Sequence, residues 1–203
     1  MKEPSPLRLR DRRAGGLGAL LGTLLLVSGA AAARAESIED KAMVCSSCHG
    51  EAGIPQEKTT PVIWGQYQGY LYLQMRDYKR GDRKNDIMQS VVDGLERDDM
   101  LALADYFSKK PWPFLNQPAA PADVVAKAQS ANGSVGCTGC HQASYLGEGT
   151  QPRLAGQLKE YMLQTMLDFR TGARGNNPGM SDLMKATSED DIHAMADYLS
   201  GLR

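Results

Sequence analysis

The sequence predicts an all-α chain made of two tandem copies of one small helical unit, and three observations predict it. First, special residues recur at a nearly constant offset. His49 and His141 lie 92 positions apart, as do Met88 and Met180, Ala104 and Ala196, Asp105 and Asp197, and Tyr106 and Tyr198. Between them the offset is 91, for Pro61 with Pro152, Gly65-Gln66 with Gly156-Gln157, Tyr70 with Tyr161, Asp77 with Asp168, Gly81 with Gly172 and Arg83 with Arg174. One residue is lost in the first loop and regained near Asn177. Duplication explains this because the matches include prolines, glycines and charges as well as apolar positions. Second, helical stripes with capping signatures recur in both halves. Third, Pro111, Pro113, Pro118 and Pro121 break any regular element between them.

Taken in order, Ser37 with Asp40 three residues on forms a capping box that opens a short helix running into Cys45. A loop rich in Gly, Pro and Thr follows over 50–61. Apolar residues at Tyr70, Leu71, Leu73, Met75 and Tyr78 give a helical stripe over 70–80, which Gly81 ends. A polar turn over 82–86 leads to Met88. Residues 98–109 read as an amphipathic helix with Met100, Leu101, Leu103, Ala104 and Phe107 inward. The second half repeats the order, with a helix over 123–130, a turn over 133–139, a long helix over 157–170 and a closing helix over 188–202, where Ser188 with Asp191 repeats the capping signature. The expected organisation is therefore a domain over 36–110, a proline-rich linker over 111–121 and a second domain over 122–203.

Each half carries one C-x-x-C-H run, Cys45-Ser46-Ser47-Cys48-His49 and Cys137-Thr138-Gly139-Cys140-His141, and these use all four cysteines. The pattern reads as attachment of haem c, two per chain, with both thiols forming thioethers to the porphyrin and the adjacent imidazole reaching the iron. A redox C-x-x-C pair, a split zinc site and a plain disulfide are the alternatives, and none needs a histidine after the second cysteine in both copies. Only 42% of the residues are hydrophobic and 6% aromatic, a thin core for 203 residues. A buried porphyrin in each half adds apolar surface.

A ligand for the second axial position must occur in both halves. His193 is the only histidine outside the motifs, and its counterpart is Leu101, so two bis-histidine haems are excluded. We read His193 as a solvent-facing helix residue. Two methionine pairs remain, Met75 with Met166 and Met88 with Met180. The first pair lies within the long helical stripe, where methionine usually fills core. Met88 and Met180 each follow a polar run able to bend toward iron, and are the preferred ligands. Met100, Met184 and Met195 have no methionine counterpart and are assigned to packing.

Residues 1–35 read as an export signal. Arg8, Arg10, Arg12 and Arg13 make a basic start, residues 14–33 carry no charge, and Ala33-Arg34-Ala35 is a small-x-small cleavage pattern. An uncleaved anchor is the alternative, weakened by Gly15, Gly16, Gly18, Gly22 and Thr23. Setting aside the six basic and two acidic residues of this segment from the chain's 23 and 24 leaves 17 and 22, a formal charge of −5. That surface disfavours nucleic acid and anionic lipid and allows steering toward a basic docking patch.

These features resemble the dihaem cytochrome c4 family over residues 36–203. The resemblance is carried by CSSCHG and CTGCHQ, the Gly-Gln followed by a tyrosine-led helix (GQYQGYLYLQM and GQLKEYMLQTM), the Met88 and Met180 loops, and the closing ADYF and ADYL. It implies two tandem class I cytochrome c domains with haems near their interface, and the carbonyls of Pro61 and Pro152 as acceptors for the proximal imidazole N–H. It also implies a periplasmic electron carrier with no catalytic residue, a respiratory complex or dehydrogenase as donor, and a terminal oxidase as acceptor. Peripheral membrane association stays open. The cytochrome subunit of a dehydrogenase such as sulfide-oxidising flavocytochrome c looks much the same, and a dihaem peroxidase is a further alternative. Two departures bear on the first haem. Val62-Ile63-Trp64-Gly65 stands opposite the more family-like Arg153-Leu154-Ala155-Gly156, and Ile87 stands where a proline is common. Trp64 is assigned to packing.

Overall fold

Ser37 opens the first helix as its capping signature requires. Its hydroxyl accepts from the Asp40 N–H and the Asp40 carboxylate accepts from the Ser37 N–H, satisfying two helix-end donors reciprocally. The computed structural model describes residues 36–203, so the segment 1–35 read as an export signal lies outside the described residues. Among the described residues there are nine helices and no strand. The first half holds α1 (Ile38–His49), α2 (Gln68–Arg80), α3 (Asp86–Asp93) and α4 (Arg97–Ser108). The second holds α5 (Ala122–Val135), α6 (Thr138–His141), α7 (Lys159–Thr171), α8 (Pro178–Ala186) and α9 (Glu189–Ser200). Gly81 and Gly172 end α2 and α7 in left-handed geometry. Ser188 caps α9 through Asp191.

Two helices occupy stretches whose polar composition reads as turn. The Asn85 side chain accepts from the Met88 N–H at 3.0 Å, and that of Asn177 accepts from the Met180 N–H at 3.1 Å. Each asparagine thus nucleates a helix of eight or nine residues. In the second half α5 also runs past the expected stop and through Gly133, ending at Gly136, whose φ of 73° suits glycine. A separate short α6 then carries the second motif, whereas α1 carries the first without interruption.

The packing repeats across the duplication. α1 lies against α4, and α5 against α9, so the closing helix crosses the opening helix in both halves. α2 packs on α3 and α4, and α7 on α8 and α9. The glycine of each Gly-Gln pair docks on its closing helix, Gly65 N–H to the Phe107 carbonyl and Gly156 N–H to the Leu199 carbonyl, both at 2.9 Å. Residues 111–121 form no helix, yet they do not hang free. The Gln117 side chain donates to the carbonyls of Gln157 and Ser200 and accepts from the Lys159 N–H, strapping the run onto the second half. Trp64 is half-buried in the first apolar cluster with Leu71, Leu103 and Phe107, as its packing assignment expects.

Fully enclosed alanines sit where the core has no spare volume. Ala104 and Ala128 are each 0% exposed within their clusters. Ala104→Leu and Ala128→Leu are expected to lower stability by about 1–3 kcal/mol through overpacking, seen as a reduced midpoint in urea unfolding.

Candidate haem sites

Both C-x-x-C-H histidines are buried, and each is held by its ring Nδ1. His49 Nδ1–H donates to the Pro61 carbonyl at 2.7 Å, and His141 Nδ1–H to the Pro152 carbonyl at 2.9 Å. A carbonyl only accepts, so these bonds fix the tautomer and leave Nε2 with its lone pair. At His141 that Nε2 is buried without a hydrogen-bond partner. Burial lowers the pKa of both imidazoles, opposed by the proline carbonyls, and keeps them neutral and fit for metal ligation. Cys48 and Cys140 are exposed, while Cys45 and Cys137 are partly covered. Burial pushes the Cys45 thiol up to about 11 and raises Cys137 as well, the reverse of a redox-active C-x-x-C pair.

The residue after each of these prolines is held from across the duplication. Gln66 and Gln157, each 3% exposed, reach into the opposite half. The Gln157 amide accepts from the Val62 N–H at 2.9 Å and donates to the Val62 carbonyl at 3.0 Å. The Gln66 amide does the same to Arg153, at 2.9 Å and 3.0 Å. Val62 and Arg153 directly follow Pro61 and Pro152, so each glutamine grips the residue beside the opposite half's histidine anchor.

A second matched pair is Arg83 and Arg174. Both are buried, and their guanidinium groups stack over the rings of Tyr78 at 4.6 Å and Phe169 at 4.4 Å. Their side-chain hydrogen bonds end on amide and phenol oxygens. Arg83 donates to Gln74 and the Tyr161 hydroxyl, and Arg174 to Gln74 and Asn176. Burial alone would raise the Tyr161 phenol, but these two cations hold it below its ordinary range. Buried cations whose hydrogen bonds meet no carboxylate suit an anionic group, and the two propionates of a porphyrin are such groups. The imidazoles, the buried Nε2 and these arginines together fit haem. The sequence shows Arg83 and Arg174 as a matched pair, and that match was the available sign of a role.

The methionines divide by packing. Met75 belongs to the first apolar cluster, and Met166 touches both clusters of the second half. Met88 and Met180 stand at the third residue of α3 and α8, each under its asparagine cap. Met180 also touches the cluster around Phe169, Met184 and Ile192. Met100, Met184 and Met195 are buried, and His193 is exposed on α9.

The cytochrome c family model matches residues 125–203. Cytochrome c4 of Azotobacter vinelandii is 35% identical over 207 residues, covering 90% of this chain and 98% of that one. The chain belongs to the cytochrome c4 family. The crystal structure of reduced recombinant cytochrome c4 from Pseudomonas stutzeri superposes with a TM-score of 0.73 at 29% identity, covering 83% of this chain and 98% of that one. A thiosulfate dehydrogenase electron acceptor from Stutzerimonas stutzeri is 28% identical over 180 residues, covering 79% of this chain and 80% of that one. As a cytochrome c4 homologue the chain is two tandem class I cytochrome c domains, a carrier of covalent haem c and of electrons.

Within this cytochrome c4 framework, the residue after each histidine adopts positive φ, Gly50 at 90° and Gln142 at 66°. The turn that follows is the same in both halves, with Gly53 N–H to the Gly50 carbonyl and Tyr145 N–H to the Gln142 carbonyl, each at 3.0 Å. A Cβ on Gly50 would lie 2.1 Å from the Ile54 carbonyl oxygen. Gly50→Ala is therefore expected to cost about 1–3 kcal/mol. Denaturant unfolding followed by the first half's tryptophan, Trp64, is the measurement.

Proposed function

We propose that residues 36–110 and 122–203 are the two haem domains, joined by 111–121, and that they pass single electrons in the periplasm after removal of residues 1–35. In this reading Cys45, Cys48, Cys137 and Cys140 carry the thioethers. His49 with Met88, and His141 with Met180, hold the two irons. Haem bound in this way supplies a one-electron ferric/ferrous couple whose potential follows its axial ligands and burial. The chain's own residues orient and tune: Pro61 and Pro152 fix the imidazoles, Asn85 and Asn177 hold the backbone of the methionine turns, and Arg83 and Arg174 offer charge to propionates.

The single observation that carries this reading is the buried, unpartnered Nε2 of His141, turned free of hydrogen bonds by the Pro152 carbonyl. No substrate is turned over. A peroxidase needs one iron with an open position, and the doubled methionine argues against it. Donor and acceptor are a respiratory complex or dehydrogenase and a terminal oxidase, met in transient encounters. The relative described as a thiosulfate dehydrogenase electron acceptor supports a dehydrogenase as donor. Exposed Met43 and Val44 beside the first motif, and Ile87 beside Met88, offer apolar contact on the first half. Among the described residues no helix is long and apolar enough to cross a membrane.

Met88→Ala and Met180→Ala are each expected to remove the sulfur-to-iron charge-transfer band of one haem and leave the other's intact. An unchanged band would transfer the role to Met75 and Met166. A substantial high-spin ferric fraction in the unsubstituted protein at neutral pH would favour the peroxidase instead.

A further inference from the structure

We propose that Gln66 and Gln157 are positioning residues that tune the reduction potential of the haem in the opposite half. The proposal rests on His49 and His141 as iron ligands and goes beyond it. Its basis is that one peptide unit serves both bonds. The Pro61 carbonyl that accepts from His49 Nδ1–H and the Val62 N–H that donates to Gln157 Oε1 are the two ends of the same planar amide. The Pro152–Arg153 amide likewise joins His141 Nδ1–H to Gln66 Oε1.

An amide whose N–H is already bonded carries more negative charge on its oxygen and accepts more strongly, an effect that hydrogen-bond chains transmit cooperatively. The stronger acceptor draws the Nδ1 proton and makes Nε2 a better donor to iron. More electron density on the iron favours the ferric state and lowers the potential. The relay is buried at its origin, so water cannot take over the glutamine's place, and the amide orientation is set by partners of both kinds. Each oxygen faces an N–H and each NH2 faces a carbonyl. Each Oε1 also accepts from the backbone N–H that follows it, Tyr67 or Leu158, which holds the side chain in its bridging pose.

The crossed connection makes a prediction that a purely structural role does not. Gln157→Leu should raise the potential of the haem held by His49, shifting its redox equilibrium toward ferrous iron by roughly threefold at fixed ambient potential, and leave the haem held by His141 unchanged. Gln66→Leu should do the converse. Spectroelectrochemical titration with the two haems distinguished by their shifted methyl proton resonances reads both potentials in the holoprotein. In the ferrous state, the Nδ1 proton resonance of the opposite histidine should move upfield as its hydrogen bond weakens. Gln157→Asn and Gln66→Asn retain an amide but withdraw it by one methylene, and give the same crossed pattern should the leucine variants fail to fold. Equal shifts at both haems, a shift confined to the substituted half, or no shift would overturn the relay. Retained low-spin spectra in these variants separate that failure from a failure of the axial-ligand reading, which would show as altered ligation in the unsubstituted protein.

Discussion

The hydrogen bond from each histidine's Nδ1 to a proline carbonyl is the constraint from which the rest of the site follows. It selects the tautomer, leaves the buried Nε2 of His141 without a hydrogen-bond partner, and requires the loop after the motif to return to the same point in both halves. That return explains the shared backbone turn after each histidine. Gly50 and Gly53 meet it at no steric cost, whereas Gln142 and Tyr145 adopt the same positive φ against their preference. The geometry of the loop, and not the local propensity of its residues, is what the duplication has preserved.

The two halves are held together by the same residues that support the histidines. Gln66 and Gln157 bridge to the opposite chain segment, and Gln74 gathers donors from Arg83 in its own half and from Arg174 and Asn176 in the other. Asn176 also donates to the buried Asp77 at 2.7 Å, a bond with no counterpart at Asp168. The interface is thus near-symmetric at Gln66 and Gln157 and asymmetric at Gln74, on which both arginines converge, and at the aspartates. Buried polar groups of this kind are costly unless every partner is present, so the network specifies one relative arrangement of the halves.

Much of this is legible in the sequence. The Ser37 capping box, the Ser188 cap and the glycine stops at 81 and 172 are local signals with local causes, and each stands where its chemistry puts it. Helices α3 and α8 were hidden because their start depends on an asparagine side chain folding back on a methionine N–H, a contact that composition reads only as polar turn. The extension of α5 through Gly133 was hidden because packing on α9 overrides glycine's weak helix propensity. Arg83, Arg174, Gln66 and Gln157 are visible as matched pairs, but their work is done across 78 to 100 positions of chain, where sequence spacing carries no geometric information.

Haem stoichiometry tests the central claim most directly. The holoprotein, expressed in a host competent for cytochrome maturation, should give two haems per chain by pyridine haemochrome absorbance. Mass spectrometry should then find one thioether-linked haem on the peptide containing Cys45 and Cys48 and one on the peptide containing Cys137 and Cys140. A colourless product, or a single haem per chain, would contradict it.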